Sequence, residues 1–402
     1  MKRLISAILT TVLLSTSSFA KDDQNKTEET KIKTSPIPEL ETIWEKAYGG
    51  SDKDKANAVI ALKDGSLLVA GSSKSYGKGH GDMLIARVLK DGKVSYRSSY
   101  GGKREESANA ITATSDGNFI AAGFSKTYSK NQDKDVFVVK FDDKGKKLWQ
   151  KHYGGERDDE AYSVVGTNNG GAIIAGYTES YGKGYKDVYL IYIDKDGKEI
   201  WSKAIGGKDD DFAKSITLSR DGFYVAGATR SFGAGGFDFY LMKFDEDAKL
   251  VFKKVYGEIE DDVLNAVTLT KDGGCVVAGW TKSFGSKHSD IDVMRYSKTG
   301  EQIWHKIYGF KSKEAANDVI AMPDGGFLVA GYTKSMGFGA NDFYVLELKS
   351  NGSSKWANVY GGSAKDSANA VVRKPDGSYV VVGQTLSFGN GDYDFMMLEL
   401  RK

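Results

Sequence analysis

A closed ring of seven four-stranded antiparallel sheets, an all-β seven-bladed β-propeller, is the fold this sequence predicts, and three observations predict it. The first is composition: 402 residues carry 48 glycines but only 4 prolines, with 12% aromatic and 40% apolar residues. Such a chain is turn-rich yet has enough apolar surface for a large core, which excludes disordered and collagen-like classes. The second is a repeat. Tyr-Gly-Gly or a close variant recurs at Tyr48, Tyr100, Tyr153, Ile205, Tyr256, Tyr308 and Tyr360, at spacings of 51 to 53 residues; a period near 50 marks stacked supersecondary units. The third is a mismatch of the ends. The last copy stops after a third strand, Asp394 to Leu400, while an unattached fourth strand, Ile43 to Tyr48, precedes the first copy. Together they complete one blade and remove an exposed edge.

Each copy reads as four strands, most clearly between Glu314 and Gly362. A small-residue strand such as Ser107-Ala108-Asn109-Ala110-Ile111 comes first and is expected to line the central channel. Asp-Gly pairs at Asp64, Asp116, Asp221, Asp272, Asp324 and Asp376 then signal hairpin turns, because tight turns need positive φ. The second strand is an unbroken apolar run, as in Gly326-Phe327-Leu328-Val329-Ala330-Gly331; it is too short for a helix and suits a strand covered on both faces. A Gly-rich loop leads to the third strand, Asp342 to Leu346 in this copy, and a further Gly turn to an outermost strand that carries Trp, as in Trp201 to Ile205.

Ahead of the repeats, Lys2 and Arg3 precede an apolar run from Leu4 to Leu14, and Ser18-Phe19-Ala20 offers small residues for cleavage. Residues 1–20 therefore read as a signal peptide, since the run is shorter than the roughly 20 residues that span a bilayer. Residues 21–42, crowded with Lys, Asp, Glu and Thr, read as a charged, disordered tether. Within it Asp23-Gln24-Asn25-Lys26-Thr27 resembles the extended acceptor of bacterial N-glycosylation, making Asn25 the candidate glycosylation site. The propeller occupies 43–402. The expected address is the periplasm or the exterior, with no transmembrane span in the mature chain.

Charge and metal-ligand content exclude several classes. The formal charge of +2 falls to zero once Lys2 and Arg3 are removed, leaving 54 basic against 54 acidic residues, so no field favours nucleic acid. Cys275 is the only cysteine, and His80, His152, His288 and His305 are scattered along the chain, so no zinc or haem spacing exists. Gly77-Lys78-Gly79-His80-Gly81 is Gly-rich like a phosphate loop, but no helical pattern follows it.

The Tyr-Gly-Gly, the following acid with Ala-x-[Ala/Ser]-[Val/Ile], and Ala330-Gly331-Tyr332-Thr333-Lys334-Ser335 together resemble the secreted bacterial seven-bladed β-propeller repeats (SBBP-like repeats) over residues 43–402. That resemblance implies the architecture and no shared catalytic residues. Asp142-x-x-Gly145-x-x-x-Trp149 and Asp194-x-x-Gly197-x-x-x-Trp201 are similar, more weakly, to the tryptophan-docking motif of quinoprotein-type propellers; Tyr96 and Phe252 replace the Trp, and Ser297 replaces the Asp before Trp304.

Three sets of residues are candidates for function. Asp54, Glu106, Asp159, Asp211, Asp262, Glu314 and Asp366 precede the inner strands; as acids of a channel mouth they are of the kind that bind a hard cation such as Ca2+, and as repeated groups they suit bonding to loop amides and hydroxyls. Tyr76, Tyr128, Tyr181, Phe232, Phe284 and Phe388, with Met336 in the remaining blade, sit beside Gly in the loops between second and third strands. Tyr/Ser/Gly loops give large contacts at low entropic cost; packing of each loop onto a neighbouring blade is the competing role. A second acid series, Asp82, Asp135, Asp187, Asp238, Asp290, Asp342 and Asp394, opens the third strands and reads as turn bonding. The position five residues on is Arg87, Lys140, Tyr192, Lys243 and Arg295 but then Glu347 and Glu399, a break of symmetry that is expected to mark the ligand's sector of the loop face.

No nucleophile, base and oxyanion donor converge in this pattern. The expected function is an exported, non-catalytic binding or scaffold module, monomeric, that holds an envelope protein or glycan through its loop face and calls for no cofactor. The alternative is an enzyme of quinoprotein-like or glycan-active type.

Overall fold

In a computed structural model, which describes residues 40–129 and 131–402, twenty-eight strands form seven four-stranded antiparallel sheets. Blade one is typical: Asp54–Ala61, Leu67–Ser73, Asp82–Val88 and Val94–Tyr100 lie side by side in chain order. Blade seven is composite. Its strands Asp366–Arg373, Tyr379–Thr385 and Asp394–Arg401 receive Glu41–Tyr48 as the fourth. The closing strand starts two residues before Ile43 because Glu41 and Thr42 pair with Arg401 and Leu400. The signal peptide, most of the tether and Asn25 lie outside the described residues.

Second and third strands are buried along nearly their whole length, and the reason is visible in their alternation. Val380 and Val382 pack with Val69, Leu84 and Val88 of blade one, whereas the intervening Val381 packs with Leu328 and Ala330 of blade six. Every blade thus has two apolar faces and no solvent face, which a period-2 strand meets with a continuous hydrophobic run. The core consists of seven such layers, one between each pair of blades. Among the described residues no helix is long and apolar enough to cross a membrane.

The Asp-Gly hairpins close one end of the ring. Gly65, at φ +79°, donates its amide to the Leu62 carbonyl, and Leu62 in turn donates to Ser66, a turn that an L side chain at residue 65 would strain. Blade three makes the equivalent turn with Asn169-Gly170. At the opposite end emerge the loops between second and third strands and the connections between blades.

Each inner strand carries a bulge after its third residue, and the extra residue is Asn57, Asn109, Tyr162, Lys214, Asn265, Asn317 or Asn369. Bulges re-aim a side chain. Here Asn57, Asn109, Asn265, Asn317 and Asn369 each donate Nδ2 to a backbone carbonyl of the next blade at 2.7–2.8 Å. Blades three and four interrupt this belt, with the Lys214 ammonium 3.4 Å from the centre of the Tyr162 ring.

Candidate functional site

The loop end of the ring is built on two aspartate or glutamate positions per blade. The acid that opens the inner strand is fully buried in all seven copies: Asp54, Glu106, Asp159, Asp211, Asp262, Glu314 and Asp366. The sequence predicts these groups at a channel mouth; each is buried within its own blade and bonded to its own loops. Asp366 accepts the Gly362 amide at 2.8 Å and the Ser387 hydroxyl at 2.6 Å, and Glu106 accepts the Gly102 amide and the Ser125 hydroxyl at 2.8 and 2.9 Å. Among the described residues no group of three or more His, Cys, Asp or Glu side chains is gathered to hold a metal ion.

The acids that open the third strands hold the Gly-rich loops. Asp342 Oδ2 accepts the amides of Phe338 and Gly339, both at 3.1 Å, and Asp187 Oδ2 those of Lys183 and Gly184 at 2.8 and 2.9 Å. Their other oxygen faces the inner-strand acid of the next blade across the first Gly of Tyr-Gly-Gly. A methyl group on Gly361 would strike both Asp342 and Asp366, and Gly361 sits at φ +151°, so only Gly fits between the two carboxylates. The Oδ1 atoms of Asp135, Asp187, Asp238, Asp342 and Asp394 are buried without a hydrogen-bond partner. Burial, and after it the neighbouring carboxylate Asp159, pushes Asp135 up to about 6.

On this scaffold the six loop aromatics take different positions. The phenols of Tyr76, Tyr128 and Tyr181 each donate to the first Gly carbonyl of the connection entering their own blade, Gly49, Gly101 and Gly154, at 2.8, 3.2 and 2.7 Å. Tyr76, Phe232, Phe284 and Phe388 are partly buried, and Met336 packs against the layer between blades five and six. Tyr128 and Tyr181 remain 41% and 47% exposed. The same face exposes three apolar side chains that the repeat pattern does not signal, Tyr185, Ile259 and Phe338, at 71%, 79% and 67%. Each stands in a connection where other copies carry polar or small residues, so only a copy-by-copy comparison of loop tips could have found them.

The symmetry break in the third strand lies elsewhere than expected. Those positions sit at the hairpin end, opposite the loop face, where the basic ones meet their own turns: Arg87 with Asp64 at 2.7 Å, Lys140 with Asp116 at 2.6 Å, Arg295 with Asp272 at 2.8 Å. The two glutamates find other cations: Glu347 meets Lys355 and Lys402 at 3.0 and 3.1 Å, and Glu399 meets Lys374 at 2.9 Å while the turn residue Asp376 pairs with Arg401. The variation is met by local ion pairs at the hairpin end and does not lie on the loop face.

Cys275 and His305 are buried and His152 is half-buried, whereas His80 and His288 are exposed. Burial pushes the Cys275 thiol well above its ordinary value, and His305 Nε2 lies 2.6 Å from Asp292 Oδ2 with both residues buried in blade five. His152 packs between Tyr128 and Phe137, with ring centres 4.5 and 4.9 Å away, and burial holds it down to about 4, hence uncharged at neutral pH. A cleft of ≈ 510 Å³ opens between blades two and three beside Tyr181.

Fold and face define a repeat-built β-propeller with a preformed loop surface, suited to binding. Residues 62–94 match the family described as "Domain of unknown function (DUF5122) beta-propeller". The chain is 25% identical over 314 residues to the regulatory protein FlaEY of Caulobacter vibrioides, an alignment covering 70% of this chain and 31% of that protein. It thus spans about a third of that relative's length. Among solved structures it is similar to a fungal alcohol oxidase of the AA5 family in complex with copper, with TM-score 0.56 and 15% identity over 90% of this chain and 76% of that one. Sqt1 of Chaetomium thermophilum is similar with TM-score 0.51 and 12% identity over 86% and 82% of the two chains. The β-propeller domain of the Trilobed protease of Pyrococcus furiosus gives 0.50 and 13% over 89% and 96%. At such identities the likeness is one of fold.

Proposed function

We propose that the protein is an exported, non-catalytic module that binds a protein or glycan of the cell envelope through its loop face. The observation that carries this reading is the pairing of exposed Tyr128, Tyr181, Tyr185, Ile259 and Phe338 with loops whose backbone is already fixed by buried aspartates. Loops ordered beforehand lose little entropy on binding. Large apolar side chains held out in water on one face are a recognised mark of a contact surface. The N-terminal pattern and the resemblance to secreted repeats support export, and a relative described as a regulatory protein suits binding better than turnover.

A photo-crosslinking residue at position 185, in protein produced in its native cells, tests the reading. One envelope component is expected to be captured, to be competed by unlabelled protein, and to be lost on Phe338→Ser or Tyr128→Ser at an unchanged melting midpoint. Capture that persists undiminished in both variants contradicts a loop-face site. Intact mass of the same preparation is expected to begin at Lys21 and to show a sugar on Asn25 if the host has the machinery; a chain still beginning at Met1 refutes export.

A further inference from the structure

In four blades the outer strand covers the loop aromatic of its own blade. The Arg97 guanidinium lies 4.7 Å from the centre of the Tyr76 ring in blade one, and the Lys253 ammonium 3.9 Å from that of Phe232 in blade four. In blade two His152 packs on Tyr128 at 4.5 Å; in blade five the His305 and Phe284 rings meet edge-on at 6.0 Å. These covers come from two repeat positions only. Arg97, Lys253 and His305 stand opposite the third-strand residues Ala86, Met242 and Met294, and His152 stands opposite Phe137.

In blade three the same two positions are Ser202, opposite Ile191, and Ala204, opposite Tyr189. Both are too short to reach over Tyr181. What remains is the ≈ 510 Å³ cleft between blades two and three, lined by Tyr153, Tyr181, Tyr189, Glu199, Ser202 and Ala204 together with His152, whose imidazole is uncharged at neutral pH. Its size falls in the range of small-ligand sites, roughly 300–1,000 Å³.

The walls favour positive charge. Tyr153 donates its phenol proton to the Gly197 carbonyl at 2.6 Å and Tyr181 to the Gly154 carbonyl, so both offer only ring faces and oxygen lone pairs to the cleft. Glu199 is exposed, and its charge reaches the rings: burial first, and then the Glu199 carboxylate, pushes the Tyr153 and Tyr189 phenols up. The lysine of the same strand, Lys203, turns the other way and donates to the Ala248 carbonyl of blade four at 2.5 Å.

We propose that this cleft takes the ammonium or guanidinium group of a lysine or arginine side chain on a protein partner, the cation resting on the exposed Tyr181 ring, against which the buried Tyr189 packs, and pairing with Glu199. Arg97 on Tyr76 and Lys253 on Phe232 are the chain's own examples of the contact. The proposal rests on the loop-face reading and names its partner class. A neutral sugar could stack on Tyr181 as well, but it would leave the Glu199 charge unanswered.

Acetyl-arginine amide, acetyl-lysine amide, the neutral isostere acetyl-norleucine amide and a neutral disaccharide, titrated by calorimetry and saturation-transfer NMR, test the proposal. The two cationic amides are expected to bind and the norleucine amide not to, with affinity falling as salt is raised. Glu199→Gln and Tyr181→Ala should each weaken the cations about tenfold, the scale of a desolvated cation–π or charge-assisted contact. Ser202→Arg should abolish binding with no loss of melting temperature, because it supplies blade three with the cover that blade one has. Equal binding of the norleucine amide, binding of the disaccharide alone, or cation binding indifferent to Glu199→Gln and Ser202→Arg overturns the inference. Envelope capture that survives Ser202→Arg but is lost on Phe338→Ser also overturns it while leaving the loop-face function standing.

Discussion

Asn369, the bulged residue of the inner strand of blade seven, donates its Nδ2 to the Ala56 carbonyl of blade one at 2.8 Å. Four other blades make the same bond to their neighbours, so the seam of the ring is joined by the chemistry of its internal joints. Asn369→Ala leaves that carbonyl without its donor and should cost about 1–2 kcal/mol in urea unfolding. Asn317→Ala should cost about as much, since the joints are alike. Parental stability in both variants would remove the belt from the account.

Closure itself rests on the first strand. Removing residues 41–48 takes Trp44 and Tyr48 from the layer against blade one and uncovers the edge of Asp394–Arg401. Size-exclusion chromatography and calorimetry should show aggregation or loss of the single cooperative transition. A soluble variant with unaltered melting would contradict the closed ring.

The facing carboxylates set a pH response. Burial, and after it the local amides and Asp366, leaves Asp342 at about 6, and Asp135 lies at about 6 as well. Both exceed the unfolded value of about 4. Between those values the folded state binds more protons than the unfolded one, so the destabilisation these groups carry at neutral pH is relieved as pH falls from about 6 towards about 4. In Asp342→Asn the amide oxygen can still accept from Phe338 and Gly339 while the charge facing Asp366 is removed. The variant should be more stable than the parent at pH 7, by on the order of 1 kcal/mol, with the gain vanishing near pH 4. Loss of stability at pH 7 would mean that both charges are needed there.

The hairpin end responds in the opposite direction. Burial works against the Asp116 charge, but the Lys140 ammonium and Thr114 hydroxyl hold its carboxyl down to about 2. Its contribution is complete above about pH 4 and is lost as pH falls through about 2. Asp116→Asn should cost about 1–3 kcal/mol, because Lys140 is buried and keeps only the Gly170 and Lys195 carbonyls. Adding Lys140→Tyr imitates the neutral Asn169 and Tyr192 pair of blade three, 2.6 Å apart, and should return part of the loss. A double variant no better than the single one would show that the pairs are not interchangeable.

Period and turn chemistry make the ring legible in the sequence. Asp-Gly requires a particular backbone, an unbroken apolar run requires two covered faces, and strands left over at both ends require each other. Side-chain environment was less legible. Tyr76 and Tyr181 occupy the same repeat position and make the same phenol bond, yet one is covered and the other open, because the difference lies in Arg97 and Ser202 some twenty residues later in each copy. Asn57 and its counterparts stood in the motif as an unassigned x, since a bulge that turns one residue towards the next blade leaves no mark on strand periodicity. Arg87 and Glu399 looked like a broken symmetry of the loop face because sequence alone does not say which end of a strand meets which turn.

The loop aromatic of blade three is left open by packing and is available to a ligand. Calorimetric melting of Tyr76→Ala, Tyr128→Ala and Tyr181→Ala in one buffer should show the largest loss for Tyr76, whose ring is partly buried under Arg97, a smaller one for Tyr128 on His152, and the least for Tyr181, where only a phenol bond and a tilted contact with Tyr189 are given up. Equal losses in all three variants would make Tyr181 a packing residue like the others and refute an open ring.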